Sequence, residues 1–186
     1  VGSPSLVDLD GDEDLEIVFT TQRGSNSGEL FVIHHDGTDM DGFPVNIDEK
    51  MLVGPATGDL EGDGVIDIVL CTWEDNIYAI DITGNVKPGF PFTSTNRFNS
   101  PPTLVDIDND GDLEVVAGND SGLLHILHHD GSEMVSFNTG DDIRGGISVS
   151  DIDDDGNYEI LFTGYDDFLH IWDPILGQEA QGWPID

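Results

Sequence analysis

A nine-residue acidic motif constrains this chain more than any other feature of its sequence. In segment 106–114 (Asp-Ile-Asp-Asn-Asp-Gly-Asp-Leu-Glu), carboxylates occupy positions 1, 3, 5, 7 and 9, and Gly111 occupies position 6. Carboxylates at this density repel one another, so the pattern is typical of a loop that surrounds a hard cation. Calcium accepts about six to eight oxygen ligands, and a glycine at position 6 permits the sharp turn that directs those oxygens inward. The motif therefore predicts a calcium-binding loop.

The motif occurs four times along the chain. Its first positions are Asp8, Asp59, Asp106 and Asp151, which are separated by 51, 47 and 45 residues. Repeats of this length indicate a solenoid, propeller or array in which each unit packs on its neighbours. The last acid stands at position 9 instead of position 12, and a strand-like segment follows it, so the loop does not belong to an EF-hand. We interpret residues 1–186 as one repeat domain, with repeats at about 1–50, 51–97, 98–143 and 144–186.

Each repeat has the pattern of four short strands. A short segment precedes the loop, and a β-branched apolar segment follows it at 17–20, 68–71, 115–117 and 160–163. A third strand is predicted at 30–33, 77–80, 124–127 and 169–172, and three repeats place Gly-Phe-Pro or Gly-Trp-Pro in a fourth strand. Four-stranded repeats of this length are the blades of a β-propeller. The predicted fold is therefore all-β, a β-propeller of four-stranded antiparallel blades, with four blades in this chain.

The charge balance excludes several classes of partner. Lys and Arg together number 5 against 39 Asp and Glu, which gives a formal net charge of −34. Nucleic acid is excluded as a partner because phosphate binding requires a basic face. No apolar run approaches the ~18–20 residues of a membrane-spanning helix, so no membrane insertion is predicted. The four loops contain 20 of the 39 acids, and the remaining acidic surface suits a saline or extracellular setting.

The loop pattern Asp-x-Asp-x-Asp-Gly-x-x-Asp/Glu, placed between the first two strands of each repeat, resembles the FG-GAP/VCBS repeat. That family includes the calcium-binding blades of integrin α-subunits and many secreted bacterial propellers. The resemblance covers nearly the whole chain and is closer to the bacterial branch, because the Phe-Gly and Gly-Ala-Pro signatures of integrins are absent. It implies a ring of about seven or eight blades, structural calcium in each blade, and a role in adhesion, ligand binding or scaffolding.

The same resemblance implies the ligands: side chains at positions 1, 3, 5 and 9, and the backbone carbonyl at position 7, for up to four Ca2+ ions. These residues are Asp8, Asp10, Asp12, Asp14 and Glu16 in loop 1; Asp59, Glu61, Asp63, Val65 and Asp67 in loop 2; Asp106, Asp108, Asp110, Asp112 and Glu114 in loop 3; and Asp151, Asp153, Asp155, Asn157 and Glu159 in loop 4. The longer Glu61 is expected to loosen loop 2. Loop 1 has Glu13 at position 6 and Gly11 two places earlier, which predicts a different turn. The alternative for each loop is a solvated acidic turn without metal.

We predict a non-enzymatic, secreted or cell-surface module for binding, adhesion or scaffolding, with a protein or glycan as its ligand; a purely structural repeat without a ligand is a further option. The alternative is a propeller domain of a secreted, calcium-dependent polysaccharide-active enzyme such as a lyase, although so few bases disfavour a polyanionic substrate. No catalytic or organic-cofactor motif is present. The pairs His34-His35 and His128-His129 recur in equivalent turns, which indicates blade architecture, with a transition-metal site as the alternative. Trp73, just past a strand end, is a candidate sugar-stacking residue.

The number of blades in the complete ring is open at this point. Four blades could close alone, pair with a second chain into an eight-bladed ring, or form part of a longer protein, and the last is our preferred interpretation. An unclosed array would expose apolar end faces, because each blade packs on its neighbours. The sequence therefore predicts self-association of the isolated chain.

Overall fold

The computed structural model describes residues 2–24 and 26–185, and these form four antiparallel four-stranded sheets. Blade 1 contains β1 (Ser5–Val7), β2 (Glu16–Arg23), β3 (Ser27–Ile33) and β4 (Val45–Ile47). Blade 2 contains β5 (Ala56–Gly58), β6 (Asp67–Cys71), β7 (Asn76–Ile80) and β8 (Phe92–Thr93). Blade 3 contains β9 (Thr103–Val105), β10 (Glu114–Gly118), β11 (Leu123–Leu127) and β12 (Glu133–Asn138). Blade 4 contains β13 (Ser148–Ser150), β14 (Glu159–Thr163), β15 (Leu169–Asp173) and β16 (Gln178–Glu179).

Strand order within every sheet follows the chain, so each blade is a simple meander. The prediction of an all-β propeller with four blades is confirmed. The part of the chain that the structure describes has no helix long and apolar enough to cross a membrane.

The middle strands show why the blades must stack. In β2, Val18 and Thr20 are buried while Ile17 and Phe19 on the opposite face are only half-buried. Every residue of β6 and β10, by contrast, is buried, because these strands belong to the two inner blades and have a neighbouring blade on each face. A strand buried on both faces needs a continuous apolar run, and residues 68–71 of β6 and 115–117 of β10 provide it after the acid that begins each strand.

Three hydrophobic cores lie between consecutive blades. The first joins blades 1 and 2 around Leu30 and Ile68, and the second joins blades 2 and 3 around Val69 and Val115. The third joins blades 3 and 4 around Val116 and contains the fully buried Trp172. Adjacent blades therefore share their apolar faces, as in other repeat architectures.

Position 2 of the first three acidic loops inserts into the core shared with the following blade. Leu9, Leu60 and Ile107 are 4%, 0% and 1% exposed, whereas the equivalent Ile152 of blade 4 is 47% exposed. On the opposite side of the array, Leu6 of blade 1 is 63% exposed, while its counterpart Leu104 packs against the core of blades 2 and 3. The outward faces of blades 1 and 4, which we call the end faces, therefore each expose an apolar side chain, Leu6 on one and Ile152 on the other.

The Gly-Phe-Pro signature does not lie within the fourth strands, and this part of the prediction is wrong. Strands β4 and β8 begin just after it, and β16 ends before Gly182-Trp183-Pro184. The physical reason is that proline has no N–H to donate to a ladder. The glycines also have positive φ, and at Gly89 (φ 87) an added Cβ would lie 1.8 Å from the Asp130 carbonyl oxygen of the next blade.

Candidate metal sites

The acidic loops join the first strand of each blade to the second. In blade 3, Asp106 follows the last residue of β9 and Glu114 is the first residue of β10, and the other three loops have the same limits. The pairing of these two strands therefore holds the first and last acids of the loop close together.

The carboxylate at position 1 shapes the loop by accepting backbone hydrogen bonds. Asp106 accepts from the amide of Asp110 at 3.1 Å and from that of Gly111 at 3.2 Å. Asp59 and Asp151 accept from the equivalent amides of loops 2 and 4. Aspartate commonly stabilises turns in this way, so the loop conformation is encoded in its own residues.

In loop 1 the φ angles are positive at the same positions as in the other loops, so the prediction of a different turn is wrong in this respect. Glu13 at position 6 has φ 76, in the left-handed region that Gly64, Gly111 and Gly156 occupy in the other loops. Position 4 is also left-handed in every loop, and Gly11 (φ 79) stands there. Gly11 adopts the left-handed conformation at position 4 without strain, whereas Glu13 adopts it at position 6 with the strain expected of a residue that has a Cβ. Asp8 differs only in accepting from the Gly11 and Glu13 amides.

The acid at position 9 is buried in every loop. Glu114 is fully buried, and its Oε2 accepts a hydrogen bond from the Ile107 amide at 2.8 Å. Glu16 and Glu159 make the same contact with the position-2 amides of their loops, at 2.9 and 2.8 Å. The Oε1 atom of Glu114 is buried and has no hydrogen-bond partner.

Burial is the main cause that raises the pKa of Glu114, and the Asp108 and Asp110 carboxylates raise that pKa further. Burial likewise raises the pKa of Glu159, beside Asp153 and Asp155. A buried carboxylate oxygen without a partner is unfavourable, and a cation bound by these oxygens would remove both the unpaired acceptor and the repulsion.

Three loops bring their carboxylates to within 4.8 Å of one another. The groups are Asp8, Asp10 and Asp12 in loop 1; Asp106, Asp108 and Asp110 in loop 3; and Asp151, Asp153 and Glu159 in loop 4. All these ligands are oxygens, which is the donor set that calcium prefers, so the residues of these loops fit the ion. Across residues 2–24 and 26–185, Asp59, Glu61 and Asp63 of loop 2 form no comparable group.

The side chains at position 7 differ among the four loops. Asp112 Oδ2 lies 2.9 Å from His129 Nδ1, and Asp14 Oδ2 lies 3.3 Å from His35 Nδ1. Asn157 donates to the Asp155 carboxylate, and Val65 is exposed. These varied side chains are compatible with the expectation that only the backbone carbonyl of position 7 would bind calcium.

The first histidine of each pair lies against the buried acid of its loop. His34 Nδ1 is 3.2 Å from Glu16 Oε1, and His128 Nδ1 is 3.6 Å from Glu114 Oε1. The sequence pattern indicated that these histidines are architectural, but it did not place them beside the loops. A signal was present: the two repeats with paired histidines are those with aspartate at position 7.

Lys87 is the residue of the site that the sequence prediction missed. Its Nζ lies 2.6 Å from Glu61 Oε2 and 2.7 Å from Asp67 Oδ2, which are positions 3 and 9 of loop 2. Lys87 immediately precedes Pro88-Gly89, and its amide bonds to the Ala79 carbonyl, as the amide of Met40 bonds to Val32 in blade 1. The sequence did contain a signal for this contact, because the positions equivalent to Lys87 in blades 1 and 4 hold the apolar residues Met40 and Ala180.

The other bases are also engaged within the chain. Lys50 Nζ lies 3.6 Å and Arg97 Cζ 4.5 Å from the centre of the Trp73 ring, so Trp73 is covered by cationic groups of its own chain. Arg97 and Arg144 both bind the buried Asp120 carboxylate, and the pKa of Asp120 is lowered by these hydrogen bonds, chiefly that of Arg144, against the opposing effect of burial. Sugar stacking on Trp73 is therefore not favoured.

Comparison with known proteins supports the fold. No family model matches the chain, and no curated protein is significantly similar to it in sequence. Among solved structures, BBS1N in complex with ARL6DN matches with a TM-score of 0.69 at 16% identity, covering 98% of this chain and 55% of that chain. The V. cholerae biofilm matrix protein Bap1 matches with a TM-score of 0.54 at 20% identity, covering 99% of this chain and 39% of that chain.

The exotype rhamnogalacturonan lyase YesX matches with a TM-score of 0.67 at 17% identity, covering 98% of this chain and 38% of that chain. The chain thus spans between 38% and 55% of the length of these three proteins. At these identities the similarity extends to architecture only, and the chain has a β-propeller fold.

Proposed function

We propose that this chain is a calcium-stabilised propeller module of the FG-GAP/VCBS type that binds a protein or glycan outside the cell. The observation that carries the calcium proposal is the fully buried Glu114, whose Oε1 accepts no hydrogen bond, with the His128 imidazole 3.6 Å away, and which belongs to an acidic loop pre-shaped by its own amides. Such a loop gains a favourable interaction when a hard cation enters, and the ion ties the first strand of the blade to the second.

A structural role for calcium is favoured over a regulatory one. The position-9 acids begin β2, β10 and β14, so the ion would be bound to the framework of the blade and not to a mobile segment. Extracellular modules commonly bind calcium with dissociation constants of about 0.1–1 mM, so a permanently bound structural ion requires an affinity at the tight end of that range or beyond it. The strongly acidic surface agrees with this setting.

The binding role is supported by the kinds of protein that share the fold. One neighbour is a biofilm matrix protein, and another was crystallised in complex with a protein partner. Propellers bind their ligands through loops that a rigid frame of strands holds in place, so a protein or glycan partner is proposed here. Self-association or further blades are proposed at the end faces.

Calcium titration by calorimetry tests the proposed metal role. We expect Glu114→Gln to weaken binding at loop 3 by at least about tenfold, because an amide supplies one neutral oxygen where the carboxylate supplies two charged ones. Glu13→Gln, which removes the same charge from an exposed residue outside the ligand set, is the matched control and should bind as the wild type does. Equal affinity in the wild type and Glu114→Gln would contradict calcium binding at loop 3.

The proposed non-enzymatic role is tested against acidic polysaccharides. One neighbour of the fold is a lyase, but the bases of this chain pair with its own acids, as Lys87, Arg97 and Arg144 do. We therefore expect no unsaturated products, measured by ultraviolet absorbance, when the calcium-loaded protein is incubated with rhamnogalacturonan or polygalacturonate. Turnover that is lost on chelation would favour the enzymatic alternative.

A further inference from the structure

The four acidic loops differ in what faces the carboxylates of positions 3 and 9. In loops 1 and 3 an imidazole approaches the position-9 acid, at 3.2 Å for His34 and 3.6 Å for His128. In loop 2 an ammonium group lies between the two carboxylates, within 2.7 Å of each. Loop 2 is therefore the one loop of the described chain in which a permanent cation bridges positions 3 and 9.

We propose that the Lys87 ammonium is the resident cation of loop 2, and that this loop holds no divalent ion. The inference rests on the proposed calcium binding of the other loops, and it predicts three calcium ions per chain, bound at loops 1, 3 and 4. The acids of loop 2 that the family resemblance implies as ligands do not fit the metal, because two of them already neutralise Lys87.

Two observations support this assignment. Lys87 is 8% exposed and Asp67 is 2% exposed, so the pair is built into the interior of the blade and is not a chance surface contact. A buried ammonium needs such partners, since leaving it unpaired is strongly unfavourable. Its two hydrogen bonds, to Glu61 at 2.6 Å and to Asp67 at 2.7 Å, hold the ammonium group between the two carboxylates.

Glu61 and Lys87 both differ in residue type from their counterparts in other blades. Glu61 replaces the aspartate that stands at position 3 of the other loops, and its longer side chain spans the distance to the Lys87 Nζ. Met40 in blade 1 and Ala180 in blade 4 donate their amides as Lys87 does, and both are apolar. The longer acid and the lysine therefore occur together in the same blade, as expected if they form one unit.

Charge repulsion explains why the ammonium and a calcium ion would exclude each other. A divalent ion bound to Glu61 and Asp67 would lie within a few ångströms of Nζ, where two like charges repel each other strongly. Lys87 would have to leave its buried position before calcium could enter. The contact of Lys87 with Glu61 and Asp67 is therefore favoured over a calcium ion bound to the same two carboxylates.

The experiment counts bound calcium by equilibrium dialysis in saturating calcium. We expect three ions in the wild type, three in Asp63→Asn of loop 2, and two in the matched variant Asp110→Asn of loop 3. Four ions in the wild type, or loss of one ion in Asp63→Asn, would overturn the assignment. No bound ion in any variant would instead refute the proposed calcium function, and a second measurement then decides the role of Lys87.

That second measurement is the melting temperature in chelator, where no divalent ion contributes. Lys87→Met leaves Asp67 buried without a counter-charge, and we expect a fall of roughly 10 °C. Lys50→Met removes a base that lies on the Trp73 ring, and it serves as the matched control with a fall of at most about 3 °C. An equal effect of the two substitutions would show that Lys87 is not the cation of loop 2.

Discussion

Exhaustive chelation is expected to lower the melting temperature of this protein by roughly 15–30 °C, and added calcium should restore it. A ligand at a hundredfold excess over its dissociation constant stabilises the folded state by about 2.7 kcal/mol per site, so three occupied loops give roughly 8 kcal/mol. For a chain of this length each kcal/mol corresponds to about 2–4 °C. The effect is large because the loops gather 20 of the 39 acids, whose mutual repulsion opposes folding when no cation is bound.

Magnesium should restore much less of the stability. The ion requires a small octahedral shell and retains several of its waters, whereas these loops offer many carboxylate and carbonyl oxygens in a flexible arrangement. The control is sodium chloride at matched ionic strength, which screens the acids without binding in the loops. A melting temperature that responds equally to calcium, magnesium and salt would show that the acids are solvated turns.

Ile107→Ala is expected to destabilise the protein by roughly 2–5 kcal/mol, which corresponds to a fall of about 5–15 °C in melting temperature. The side chain fills the core between blades 3 and 4, where it is 1% exposed, so its removal leaves a cavity. Ile152→Ala is the matched control: the residue has the same type and the same place in its loop, but it is 47% exposed. Its replacement should change stability by less than about 0.5 kcal/mol.

The same pair of positions tests the end faces. If the exposed apolar surface causes self-association of the isolated chain, Ile152→Asp should reduce the mass measured by light scattering, because a charge in an apolar contact is unfavourable. Equal destabilisation by Ile107→Ala and Ile152→Ala would mean that both positions are enclosed. A wild type that is strictly monomeric at every concentration would contradict self-association through these faces.

The local parts of the site were predictable because they are encoded within a few residues. The turn of each loop depends on hydrogen bonds between its own carboxylates and amides, such as Asp106 with Gly111, and these operate over about five positions. The strand limits follow for the same reason, since Glu114 both ends the motif and begins an apolar β-branched segment. One local detail was misjudged: position 4 is also left-handed, so Gly11 preserves the turn of loop 1.

The sequence by itself therefore determined the repeat, the order of strands and the acidic loops, because periodicity and turn chemistry are properties of short segments. The tertiary structure decided which groups face those loops. Lys87 reaches Glu61 across 26 positions and Trp73 lies under Lys50 and Arg97, and no local pattern specifies such contacts. The tertiary structure also decided that Ile107 is buried and Ile152 is exposed, although both are isoleucines at the same loop position, because only Ile107 is covered by a following blade.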